Sequence, residues 1–80
     1  MARYNIKAFG ITKEILGGKD NLLEFDGDTV ADLRQFLVST YPRLTGLRSL
    51  FIAVNHNYAD DSLALRETDE IALIPPVSGG

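Results

Sequence analysis

Apolar and polar positions alternate from Arg3 to Phe9. Tyr4, Ile6 and Ala8 fall on one side, and Asn5, Lys7 and Phe9 on the other, the period of a strand with two different faces. Ile11 to Leu16 spaces its apolar residues for a short helix, and Gly17-Gly18 stops it. Leu22 to Phe25 predicts a second strand, closed by the turn Asp26-Gly27-Asp28. The period then changes. Val30, Leu33, Phe36, Leu37 and Thr40 recur three and four apart, the stripe of an amphipathic helix. Thr29 stands where it can cap that helix, with Asp32 as the reciprocal partner of a capping box. Pro42 disfavours helical geometry at Tyr41, so the helix ends there. Leu44 to Ser49 is a connector.

Leu50 to Asn55 predicts a third strand, rich in the β-favouring Phe51, Ile52 and Val54. Asn55-His56-Asn57 is a polar turn, Tyr58-Ala59 reads as a short edge strand, and Ser62 to Leu65 as a compact connection. Glu67 to Glu70 forms a turn before the last strand, Glu70 to Ile74. Pro75-Pro76 ends that strand, because proline offers no N–H to a ladder. One amphipathic helix among these strands must bury its stripe against one face of a sheet. The expected fold is therefore α+β: a β-grasp, ubiquitin-like mixed sheet packed on one main helix. Residues 1–76 form the domain, and residues 77–80 are a flexible tail.

Composition narrows the chemistry. Eighty residues allow one domain with a thin core. There is no cysteine, which removes disulfides, thiolate metal sites and cysteine nucleophiles. The net charge is −3, and the Lys and Arg residues are scattered singly. A nucleic-acid binder gathers them into a patch or stripe, so no nucleic-acid partner is expected. The start has no apolar signal core, and no apolar run is long enough to span a bilayer. A cytoplasmic protein with no membrane partner is the expectation.

Few side chains invite a catalytic or metal reading. His56 is the only histidine, stands in a predicted turn, and has no implied nucleophile or metal partner. Asp26-Gly27-Asp28 lacks the later ligands of a calcium loop. Gly17-Gly18-Lys19 lacks a phosphate loop's earlier glycine, and Asp20 stands where Ser or Thr belongs. Asp60-Asp61 reads as solvated turn surface. No metal site and no bound cofactor are expected.

The end of the sequence is more informative. Pro75-Pro76 favours an extended path, and Gly79-Gly80 presents no side chains. Such an end can enter a narrow channel and lay its backbone against catalytic groups of another protein. From Val77, four residues reach roughly 13 Å at about 3.3 Å each. A terminal Gly-Gly alone equally describes a frayed end. The stretch Asp69-Glu70-Ile71-Ala72-Leu73-Ile74-Pro75-Pro76-Val77-Ser78-Gly79-Gly80, however, resembles the C-terminal signature of the molybdopterin synthase small subunit, a MoaD-like sulfur carrier. Thr29-Val30 with Leu33 resembles that family's helix start, and Val54-Asn55 the end of its third strand. Two positions depart from the pattern. Thr68-Asp69-Glu70 stands where the family has Gly-Asp-Glu, so that turn is expected to differ in type. Lys13-Glu14 stands where Arg-Glu is frequent.

The resemblance implies sulfur transfer by a subunit that is not itself an enzyme. A separate ATP-dependent, E1-like enzyme adenylates the terminal carboxylate, here that of Gly80. Sulfur then replaces oxygen to give a thiocarboxylate. The carrier docks on the large synthase subunit, and Pro75, Pro76, Val77, Ser78 and Gly79 thread the tail into its active site. There the sulfur passes to a pterin precursor of molybdopterin. ATP is used by the activating partner; the acid–base groups belong to the partners.

Alternation also places Phe9 and Ile74 on the face that a single helix cannot cover, with Tyr58 joining them from the edge. Scattered exposed apolar residues are ordinary on a protein surface; a cluster beside an active tail is a docking patch. The resemblance implies the same use of that face for both partners. Three rivals stay open: a thiamine-pathway sulfur carrier of the same fold, a ubiquitin-like modifier joined through its terminal glycine to lysines, and an interaction domain with an inert tail.

Overall fold

The alternating first segment is strand β1 (Ala2–Ala8), and its buried side chains are Tyr4, Ile6 and Ala8. A computed structural model describes residues 2–47 and 50–75. After β1 come α1 (Ile11–Leu16), β2 (Asp20–Phe25), α2 (Val30–Thr40), a 3-10 turn (Pro42–Gly46), β3 (Phe51–Val54), β4 (Asn57–Tyr58) and β5 (Ile71–Ile74). The sheet order is β2-β1-β5-β3-β4. β1 and β5 run parallel at its centre, and every other pairing is antiparallel. This is the expected mixed sheet with one main helix.

The Thr29 cap forms as its spacing implies. The Thr29 hydroxyl accepts from the Asp32 N–H at 3.2 Å, and the Asp32 carboxylate accepts from the Thr29 and Asp28 N–H groups. The preceding turn is shaped to admit Asp32: a Cβ on Gly27 would lie 2.6 Å from the Asp32 Cβ. These backbone N–H donors, Asp28 first, hold the Asp32 carboxyl below the usual carboxylate range. Val30, Leu33 and Leu37 are fully buried against Ile6, Ile52, Ile71 and Leu73. Phe36 stacks on Phe25 at the rim, ring centroids 4.9 Å apart. Thr40, placed on the stripe by its spacing, is exposed, because it occupies the helix's last turn beyond the sheet.

Strand boundaries differ from the pattern by one or two residues. β2 starts at Asp20 rather than Leu22, since it pairs only with β1 and its polar start is held by the ladder: Asp20 opposes Lys7 and Asn21 opposes Ile6. β4 is shifted by one residue because Asn55 and His56 alone make the turn, both at positive φ (52° and 72°). That is the two-residue hairpin turn whose twist suits the flanking strands. Among the described residues these two are the non-glycine positions at positive φ, so the turn at Thr68 keeps ordinary backbone geometry. Side chains close it instead. Asp69 accepts from the Arg66 N–H at 2.8 Å and the Asn55 amide at 3.0 Å, and the Asn55 carbonyl accepts from the Glu70 N–H. Asn55 thereby ties the hairpin turn to the start of β5.

Candidate functional site

A sheet covered by one helix has a second face, and the strand registers decide what it presents. On β5, Ile71 and Leu73 are buried beneath α2 while Ala72 and Ile74 point away. Ala53 on β3 opposes Ala72, Phe51 opposes Ile74, and Tyr58 on β4 opposes Ala53. Directly opposed residues share a face, so Phe51, Ala53, Tyr58, Ala72 and Ile74 make one apolar surface over β5, β3 and β4. Phe51 and Tyr58 stay 50% and 74% exposed, with their rings 5.4 Å apart. Phe9 joins from the end of β1, and Phe9, Tyr58 and Ile74 line one shallow depression of about 330 Å³. The two small alanines form its floor, and Lys7, His56 and Glu70 its polar rim. His56 Nε2 lies 3.3 Å from the Glu70 carboxylate, and the Lys19 ammonium stands 5.9 Å over the Phe9 ring.

The structure thus brings Phe9, Tyr58 and Ile74 together and adds a residue the pattern did not single out. Phe51 was invisible as a surface residue because all four residues of β3, Phe51-Ile52-Ala53-Val54, are apolar. A strand without alternation does not reveal its faces; only its pairing with β5 does. The other half of the outer face, over β1 and β2, is mostly polar: Arg3 pairs with Glu24 at 3.0 Å, and Lys7 opposes Asp20. The apolar patch is therefore confined to one side of the sheet.

Parallel pairing of β1 and β5 aligns their ends. Ala8 opposes Leu73, so Phe9 and Gly10 come next to Ile74 and Pro75. Gly10 sits at φ 57° and ψ −132°, the first central position of a type II′ turn. The Thr12 N–H closes that turn on the Phe9 carbonyl at 3.1 Å. Thr12 is fully buried; its hydroxyl accepts from the Phe9 N–H at 2.9 Å and donates to the Phe9 carbonyl. A Cβ added to Gly10 would meet the Pro75 ring at 3.2 Å, so the half-buried proline rests against this glycine. Pro76, Val77, Ser78, Gly79 and Gly80 lie outside the described residues. Among the described residues no group of three His, Cys, Asp or Glu side chains could hold a metal, and no helix is long and apolar enough to cross a membrane.

Comparison with known proteins places this arrangement. The model of the ThiS family matches residues 6–80. The molybdopterin synthase sulfur carrier subunit of Dictyostelium discoideum is 37% identical, over 98% of this chain and 96% of that protein. Among solved structures, small archaeal modifier protein 1 (SAMP1) of Haloferax volcanii superposes with a TM-score of 0.79 at 30% identity, covering 99% of this chain and all of that one. Subunit 1 or 2 of the molybdopterin-converting factor of Helicobacter pylori, solved as the complex of the two, gives 0.68 at 25% identity, covering 98% and 99%.

Proposed function

This chain belongs to the ThiS family, and we propose that it is the sulfur-carrying small subunit of a molybdopterin synthase. The observation that carries the reading is the end-to-end likeness to a subunit of that name, at 37% identity. The residues supply a coherent chemistry. The Gly80 carboxylate attacks the α-phosphate of ATP on an E1-like partner and releases pyrophosphate. The resulting acyl-adenylate is opened by a sulfur nucleophile, AMP leaves, and Gly80 becomes a thiocarboxylate. The chain has no cysteine, so it cannot carry sulfur as a side-chain persulfide. The charged carrier then docks on a large subunit, and Pro75, Pro76, Val77, Ser78 and Gly79 lead the sulfur to the pterin precursor. The carrier is the co-substrate; the partner supplies the acid–base groups, and the exchange takes place in the cytoplasm.

The apolar patch is the docking surface. Phe9, Tyr58 and Ile74, with Phe51, concentrate exposed aromatic and aliphatic area on an open sheet face, the composition of an interface centre. A large subunit as partner accords with the Helicobacter pylori likeness, solved as a two-subunit complex.

Incubation with ATP, a cognate activating enzyme and a sulfide source should raise the intact mass by the difference between one sulfur and one oxygen. The change should map to the C-terminal peptide, and the sulfur should be lost again to a large subunit and pterin precursor. The likeness to a small archaeal modifier protein favours a second reading, conjugation to lysines. An unmodified mass with amide-linked conjugates in its place would decide for that one.

A further inference from the structure

We infer that Gly10 is a positioning residue for sulfur transfer: it seats Pro75 and so ties the end of β5, from which the reactive end follows in sequence, to the docking patch. This role rests on the carrier reading above and adds to it a residue remote in sequence from the reactive end.

Two independent constraints meet at Gly10. Its φ of 57° with ψ of −132° is open to glycine and to D-residues and strained for any L-residue. Its pro-L hydrogen faces the Pro75 ring, where a Cβ would approach to 3.2 Å. The turn around it is held from several sides. The Thr12 N–H and hydroxyl both bond the Phe9 carbonyl, the Phe9 N–H bonds the Thr12 hydroxyl, and the Lys13 N–H bonds the Gly10 carbonyl at 3.1 Å. Thr12 is a buried polar residue whose hydrogen bonds are spent wholly on fixing Phe9. One rigid turn therefore carries Phe9 of the patch on one residue and the Pro75 seat on the next. The patch decides where a partner lies, and the seat decides where the reactive segment starts from; the turn locks the two together. Misplacing a reacting atom by about 1 Å can cost about 100-fold in rate, so a shift of this root is expected to appear in transfer rather than in docking.

The test compares Gly10→Ala with Gly10→D-Ala, made by chemical synthesis of the 80-residue chain with a C-terminal thiocarboxylate, so that no activating enzyme enters the measurement. The D-residue accepts the turn and carries its methyl in place of the other α-hydrogen, not the one that faces Pro75. Affinity for a large subunit and the single-turnover rate of sulfur loss at saturating partner are read separately, beside thermal melts. Gly10→Ala should remain folded at the assay temperature, bind within about threefold of wild type, and transfer about 10-fold more slowly or worse, while Gly10→D-Ala restores most of the rate. In the wild type a nuclear Overhauser contact between the Gly10 α-protons and the Pro75 ring should be present, and in Gly10→Ala it should change. A folded Gly10→Ala variant that transfers at the wild-type rate overturns the role, as does a rate loss accounted for by the unfolded fraction or by weaker docking. A wild-type thiocarboxylate that binds the large subunit but transfers no sulfur overturns the carrier reading itself.

Discussion

Ile74 shows how one residue's meaning depends on its strand register. It is apolar, next to the tail and half-buried, yet its neighbours Leu73 and Ile71 are core while it points to the open face. A shift of one residue would exchange these roles. Introducing a charge there should therefore leave the fold intact and spoil the interface: Ile74→Lys should weaken binding to a large subunit by more than about 1 kcal/mol, read by titration calorimetry, with an unchanged melting curve. Strong alternation made Ile74 and Phe9 legible in the sequence. The uniform Phe51-Ile52-Ala53-Val54 run hid Phe51, and no apolar pattern could point to Thr12, a buried polar residue. Asp69 was legible as part of a turn and of the C-terminal signature, but not as the acceptor that closes the turn. Its carboxyl is held below the ordinary carboxylate range, first by the Arg66 N–H and then by the Asn55 side chain. A depressed carboxylate stabilises the fold at pH above its unfolded pKa, and the contribution is lost as pH falls through the folded value. Urea midpoints should therefore fall as pH drops below ~4, and Asp69→Asn should flatten that fall.

At the scale of elements, local chemistry predicted most where it was most redundant. Helix α2 has a stripe, a capping box and a proline stop, and it forms over Val30–Thr40 with the cap in place. Removing the cap hydroxyl tests how much of the domain's stability sits in this one helix end. Thr29→Ala should lose about 1 kcal/mol, a drop of roughly 4–8 °C in melting temperature for a domain this small. The loss should be spread over the whole unfolding transition, because the same turn also bridges to Ala64 across a short antiparallel contact. The connector after α2 was less legible. Its 3-10 turn, Pro42–Gly46, buries Leu44, a contact set by the tertiary shape of the core. The β3–β4 turn depended on two non-glycine residues taking positive φ, which Asn tolerates and a composition-based reading does not reveal.

At the scale of the whole molecule, one non-local fact organises the rest. The first and last strands lie parallel at the sheet centre, a pairing that periodicity along the chain cannot express and that the expected mixed sheet left unassigned. It carries Phe9, Gly10, Ile74 and Pro75 to one end of the sheet, so the patch and the root of the reactive segment lie side by side. It also separates stability from chemistry. The buried cluster runs from Tyr4 to Leu73, and every described core contact is made before Pro75. Removing Gly80 alone should therefore leave the melting temperature and the urea midpoint unchanged. The patch also remains, so affinity for a large subunit should stay close to that of the intact chain. Only the carboxylate at the correct reach is lost: a chain ending at Gly79 falls short by about 3.3 Å, a large distance for a partner that must bring reacting atoms to within about 3.5 Å. The shortened chain should dock, fail to accept sulfur in the mass assay, and compete with the intact carrier for the large subunit. A destabilised fold on removal of Gly80 would show that the tail belongs to the core, and full sulfur loading at Gly79 would show that the partner reads the folded body and tolerates the reach.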